Sequence, residues 1–224
     1  MEKMIIVNHK IYLDSKKLNE YMIKLKPYKE DFIFCPAALH VPYFLKNGFI
    51  VGVQNIYCKS TGPYTGEVSA RQAKDIGVKY AMIGHQERRH IFGETNYDIN
   101  LKVKQALKEG LKVILCIGEE DKEHYKQIIK TQITECLKNV DEKILISYEP
   151  LWAIGTHDNA SPEHIKTVTK YIKSLFNYDV PVLYGGSVDQ ESIKYLKSVK
   201  EVSGFLVGSA SIDAENLIKI REVV

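Results

Sequence analysis

An α/β protein built as one (β/α)8 barrel is the architecture this sequence predicts, and three observations carry that expectation. Eight short runs rich in β-branched residues recur between longer helical patterns. Several of those runs are apolar throughout instead of alternating, as a parallel strand covered on both faces requires. The 224 residues suit a barrel of roughly 200 to 250 residues, and no Pro/Gly/Ser linker, low-complexity tract or repeat divides them. The expected unit is a single domain over residues 1–224.

In chain order the candidate strands are Met4 to Val7, Phe32 to Cys35, Phe49 to Val53, Tyr80 to Ile83, Lys112 to Ile117, Ile144 to Tyr148, Val182 to Tyr184 and Gly204 to Val207. Amphipathic segments separate them. Asn96 to Glu109 sets Ile99, Val103, Ala106 and Leu107 on one stripe, with Lys102, Lys104 and Lys108 expected on the solvent side, and Gly110 as its stop. Ser161-Pro162-Glu163 reads as a helix start, the serine accepting from open N–H groups and the proline fitting the first helical position. Asp213-Ala214-Glu215 offers a similar start for the last helix. A doubly wound open sheet would place a glycine-rich phosphate loop after the first strand, and Asn8-His9-Lys10-Ile11 is not one.

Composition narrows the function classes. With 45% hydrophobic and 26% charged residues the chain has ample apolar surface to bury, which argues against disorder. Lys and Arg total 31 against 28 Asp and Glu, and they are scattered, so no nucleic acid or other polyanion is indicated as a partner. No run approaches the ~20 apolar residues of a membrane span, and Met4 to Val7 meets polar residues too soon for a signal peptide. A cytoplasmic location with no membrane contact is the expectation. Cys35, Cys58, Cys116 and Cys136 form no C-x-x-C pair and the seven histidines no H-E-x-x-H motif, so neither a disulfide framework nor a metal site is expected.

In such a barrel the active site forms where strands end, so polar residues just after apolar runs are the candidates. Lys10 after the first strand, His85 after the fourth and Glu149 after the sixth would bring a cation, an imidazole and a carboxylate to one mouth. That set suits proton abstraction beside a carbonyl: a poorly hydrated carboxylate is a competent base, and the enediolate needs donors and positive charge at its oxygens. Gly185-Gly186-Ser187-Val188 and Gly208-Ser209-Ala210-Ser211, after strands seven and eight, could turn backbone amides and the Ser187 hydroxyl toward a phosphate. His157 and His164 are given no ligand role.

These segments resemble a known family. Gly84 to Arg89 (GHQERR) resembles the triosephosphate isomerase pattern G-H-S-E-R-R, and Tyr148 to Thr156 (YEPLWAIGT) its Y-E-P-x-W-A-I-G-T segment. Asn8-His9-Lys10 is similar to its N-x-K, Gly62 to Glu67 (GPYTGE) to its G-A-x-T-G-E, and Gly185 to Val188 to its G-G-S-V. The resemblance implies an isomerase of glycolysis that interconverts D-glyceraldehyde 3-phosphate and dihydroxyacetone phosphate with no cofactor. It implies Lys10 as electrostatic stabiliser, His85 as electrophile, Glu149 as carbon base, Asn8 as a substrate contact and Glu87 as the group that positions Lys10. Gly155, Ser187, Gly208 and Ser209 would hold the phosphate. An uncharged imidazole facing a carboxylate base under a closing loop is the family's own pattern, borrowed from it here. Gly62 to Glu67 would dock into a second subunit, Thr65 deepest, giving a homodimer or larger homo-oligomer, and Cys116 would be a packed structural thiol near Glu149.

The chain departs from that pattern in places. Gln86 replaces the serine beside His85, His157-Asp158-Asn159 replaces G-K-T, Leu151 replaces a valine, Gly208-Ser209 replaces Gly-Gly, and the stretch after Glu119 is short. Gln86 and the altered hinge motivate an alternative reading, a barrel that keeps the phosphate site as a binding protein with weakened catalysis. A different phosphosugar enzyme on the same fold is a further rival, since architecture alone does not fix a reaction.

Overall fold

A computed structural model describes residues 3–153 and 160–224. Its elements run β1 (Met4–Asn8), α1 (Ser15–Leu25), β2 (Phe32–Cys35), α2 (Val41–Lys46), β3 (Ile50–Val53), α3 (Ala70–Asp75), β4 (Tyr80–Ile83), α4 (Gln86–His90) and α5 (Asn96–Lys108). They continue with β5 (Lys112–Ile117), α6 (Tyr125–Cys136), β6 (Leu145–Tyr148), α7 (Pro162–Ser174), β7 (Val182–Tyr184), α8 (Ser192–Leu196), β8 (Gly204–Val207) and α9 (Ala214–Val223). The eight strands close in sequence order into an all-parallel barrel, β1 pairing β2 on one side and β8 on the other. All eight predicted strands are present, with ends shifted by at most one residue.

Strand alternation divides the buried side chains into two layers. Ile6, Ile33, Met82, Ile114, Cys116, Leu183 and Leu206 fill the barrel, while Ile5, Val7, Phe32, Phe34, Ala81, Ile83, Val113 and Leu115 face the helices. The helices start where their caps dictate. Ser161 accepts from the His164 N–H ahead of Pro162, and the Asp213 side chain accepts from the Asn216 N–H. Thr95 and Asp98 form a reciprocal capping box on α5.

One expected placement is corrected. Lys102 is not on the solvent side of α5: it is 6% exposed and its ammonium contacts Asn55 Oδ1 at 2.9 Å and the carboxylate of Glu94. Glu94 also accepts from Arg88 Nε at 2.6 Å. The long aliphatic stem lies along the apolar stripe while its charge is neutralised inside, a pairing that helical periodicity alone does not reveal.

His9, beside the candidate site residue Lys10, belongs wholly to the core. Its ring packs against Tyr21, Phe34 and Phe44, and Nε2 meets the Tyr21 hydroxyl at 2.9 Å. Burial, and secondarily the charge of His40, depress its pKa to about 3. The ring therefore stays neutral in the fold but protonates in the unfolded chain below about pH 6.5, so stability is present above that value and is lost as pH falls toward 3. Between pH 7 and 5 the expected loss from this one group is about 2 kcal/mol. Denaturant titrations of wild type and His9→Phe at the two pH values check this, with the variant expected to lose less over the interval.

Candidate active site

The ends of β1, β4, β7 and β8 surround a cavity of about 320 Å³ whose lining includes Asn8, Lys10, His85, Ser187, Gly208 and Ser209. Every described residue expected in the site is there or against its wall. Gly155 and the His157-Asp158-Asn159 hinge lie outside the described residues.

Lys10 stands two residues beyond β1 in the left-handed region, with φ +49°, a conformation that costs a non-glycine residue of order 1–3 kcal/mol. The Asn8 side chain accepts from the Lys10 N–H at 3.1 Å, and the Gln54 amide donates to the Lys10 carbonyl at 2.9 Å. The ammonium meets Glu87 Oε1 at 2.5 Å, which ties the cation to the first turn of α4. Glu87 itself does not line the cavity.

His85 follows Gly84, whose φ of +76° turns the chain sharply off β4. The ring caps α4: Nδ1 accepts from the Glu87 N–H at 3.3 Å. A nitrogen that accepts carries no proton, which leaves the ring N–H on Nε2. Nε2 lies 3.8 Å from Glu149 Oε1.

Glu149 is 1% exposed and sits behind the cavity wall instead of lining it. Oε2 accepts from the backbone N–H of Gln86 at 3.2 Å, while Oε1 is buried without a hydrogen-bond partner among the described residues. The carboxylate is thus withdrawn from solvent in this position. Cys116 lies beneath it, fully buried, and burial, followed by the neighbouring charge of Glu149, pushes the thiol well above its ordinary pKa. A thiol so held stays protonated, which suits the packed structural thiol that the resemblance implies.

At the β8 end of the cavity, Gly208 leads into a 3-10 turn over Ser209–Ile212, and the Gly208 carbonyl accepts from the Ser211 N–H and hydroxyl. Among the described non-glycine residues only Lys10 and Asn139 have positive φ, so Ser209 is unstrained where the resemblance has glycine. Ser187 lines the cavity, but its hydroxyl donates to the Ala153 carbonyl at 2.9 Å. Its backbone amide is the group left for a ligand.

Several supports escaped the sequence reading. Arg89 donates to the carbonyls of Gly84 and Cys116 and to Asn96, bracing the ends of β4 and β5. Glu119, buried, accepts from the Tyr148 hydroxyl at 2.8 Å and the Trp152 indole at 3.0 Å, and His164 Nε2 lies 3.1 Å from the same hydroxyl. No group of His, Cys, Asp and Glu suited to a metal occurs among the described residues, and none of their helices is long and apolar enough to cross a membrane.

A family model described as "Triosephosphate isomerase" matches residues 3–224. The chain belongs to the triosephosphate isomerase family. A triosephosphate isomerase of Mesomycoplasma hyorhinis is 40% identical, the match covering 95% of this chain and 87% of that one. Those of Aquifex aeolicus (strain VF5) and Fusobacterium nucleatum are each 37% identical over 98% of both chains. The chain is thus similar over nearly its whole length to isomerases, and the barrel is that of a triosephosphate isomerase family member.

Proposed function

We propose that this isomerase interconverts dihydroxyacetone phosphate and D-glyceraldehyde 3-phosphate, with Glu149 as carbon base, His85 as electrophile and Lys10 as electrostatic stabiliser. The observation that carries the assignment is the meeting of a protonated Nε2, an ammonium and an under-solvated carboxylate at one mouth. Glu149, rotated past Gly185 into the cavity, takes a proton from the hydroxyl-bearing carbon. The electron pair moves to the carbonyl oxygen, where His85 Nε2–H and the Lys10 ammonium meet the growing negative charge. His85 gives that oxygen a proton and takes one from the neighbouring hydroxyl, and Glu149 returns its proton to the former carbonyl carbon, which leaves the aldehyde. Each proton is held by Glu149 or His85 throughout, so the cycle needs no cofactor.

Asn8 contacts substrate, and the amides of Ser187, Gly208 and Ser209 receive the phosphate, with Gly155 assigned to the same group by the resemblance. Residues 1–224 form one domain in this reading, and its place is the cytoplasm, where glycolysis runs. The active unit is a homodimer or larger assembly, the loop at Gly62 to Glu67 entering a neighbouring copy. Support for that comes from Ile11, Leu39, Thr65 and Phe92, all exposed, which follow the four adjacent strands β1 to β4 at the mouth.

The test is a coupled assay of triose phosphate interconversion by purified protein. Turnover at tens per second or more is expected for an enzyme with this set intact. A folded protein that bound inorganic phosphate without turnover would overturn the reading.

A further inference from the structure

We infer that Gln54 is a positioning residue for the isomerisation: its carboxamide holds the left-handed backbone that aims the Lys10 ammonium into the cavity. Gln54 follows β3 directly and is half-buried. It does not line the cavity, so it meets no substrate itself. Its Nε2 donates to two carbonyls, Lys10 O and Cys35 O, each at 2.9 Å. Cys35 ends β2, and its carbonyl also accepts from the His9 N–H at 3.2 Å. One amide therefore spans from β3 across the fixed end of β2 to the turn beyond β1.

That turn needs an external hold. Lysine has no intrinsic preference for φ +49°, and relaxation to an ordinary helical φ would swing the residue by roughly 110° about its N–Cα bond. The Cα–Cβ direction would swing with it and carry the ammonium away from Glu87 and from the mouth. Asn8 restrains the N–H of Lys10, and Gln54 restrains the carbonyl on the other side. With both carboxamides in place the peptide groups flanking this Cα are fixed; without Gln54 one of the two is released.

The inference rests on the role proposed above for Lys10, and a double-mutant cycle tests the two separately. Gln54→Met keeps volume and removes both donated bonds. It is expected to lower kcat/KM on the order of 10- to 100-fold, the scale of a displacement of about 1 Å in a catalytic group. In the Lys10→Ala background, where no ammonium remains to be aimed, the same change should alter the rate less than about twofold. A crystal structure of Gln54→Met should show Lys10 out of the left-handed region. If Gln54→Met does not fold, Gln54→His, whose ring N–H can reach one of the two carbonyls, takes its place, with a smaller loss that must likewise vanish beside Lys10→Ala. Equal losses in both backgrounds, or no loss in a wild-type Lys10 background, would overturn the role of Gln54. An inactive wild type, or a Lys10→Ala variant as fast as wild type, would overturn the parent reading and this inference together.

Discussion

Glu149→Gln is expected to reduce kcat on the order of 10²- to 10⁴-fold with little change in KM, the range supplied by a positioned general base. The amide is nearly isosteric and can still accept from the Gln86 N–H, so folding should be retained. Only basicity is removed. Steady-state rates in both directions, with a thermal melt of each protein, give the comparison. Retention of more than about a tenth of the wild-type kcat would exclude Glu149 as the carbon base.

The second large effect is structural and concerns Gly118, at the tip of β5. A Cβ there would lie 1.8 Å from the Glu149 carbonyl oxygen, an impossible contact with backbone. Neither side can yield easily. The Gln132 side chain clamps Gly118 from behind, accepting from its N–H and donating to its carbonyl, both at 2.9 Å. Glu149 is pinned by its own N–H to the Ile117 carbonyl at 2.8 Å. Gly118→Ala should therefore cost about 3 kcal/mol or more and lower Tm by roughly 6–12 °C. Part of the displacement must pass into the base, so kcat should fall as well. Calorimetry with an assay of the folded fraction measures both; an alanine variant with wild-type Tm would mean that the strand tips separate readily.

The barrel was legible because closure imposes a strong local pattern. A strand buried on two faces must be apolar at successive positions, and eight such runs with the right gaps leave few architectures. Lys10, His85 and Glu149 were legible because each directly follows a strand or lies two residues beyond it. Their supports were not. Gln54 and Arg89 act on the backbone carbonyls of Lys10 and Cys116, remote in sequence, and a carbonyl has no residue identity to read. Lys102 misled for a related cause: its partners Glu94 and Asn55 come from other turns of the fold, so a helical wheel assigns its charge to water. The two positions of Glu149 relative to the cavity, one seen and one needed, are likewise a matter of side-chain torsion that periodicity does not encode.

The seam between β1 and β8 has a kinetic meaning. Met4 to Val7 pair with Gly204 to Val207, so the last pairing to be completed joins segments separated by nearly the whole chain. The cavity straddles that seam, taking Asn8 and Lys10 from one side and Gly208 and Ser209 from the other. On the ribosome, strands one to seven can emerge and pair while the cavity still lacks its Gly208–Ser209 side, and β1 and β7 wait with open edges. Ring closure is thus a late, long-range event of high loop entropy, and the sheet loses its exposed edges in the same step that assembles the site.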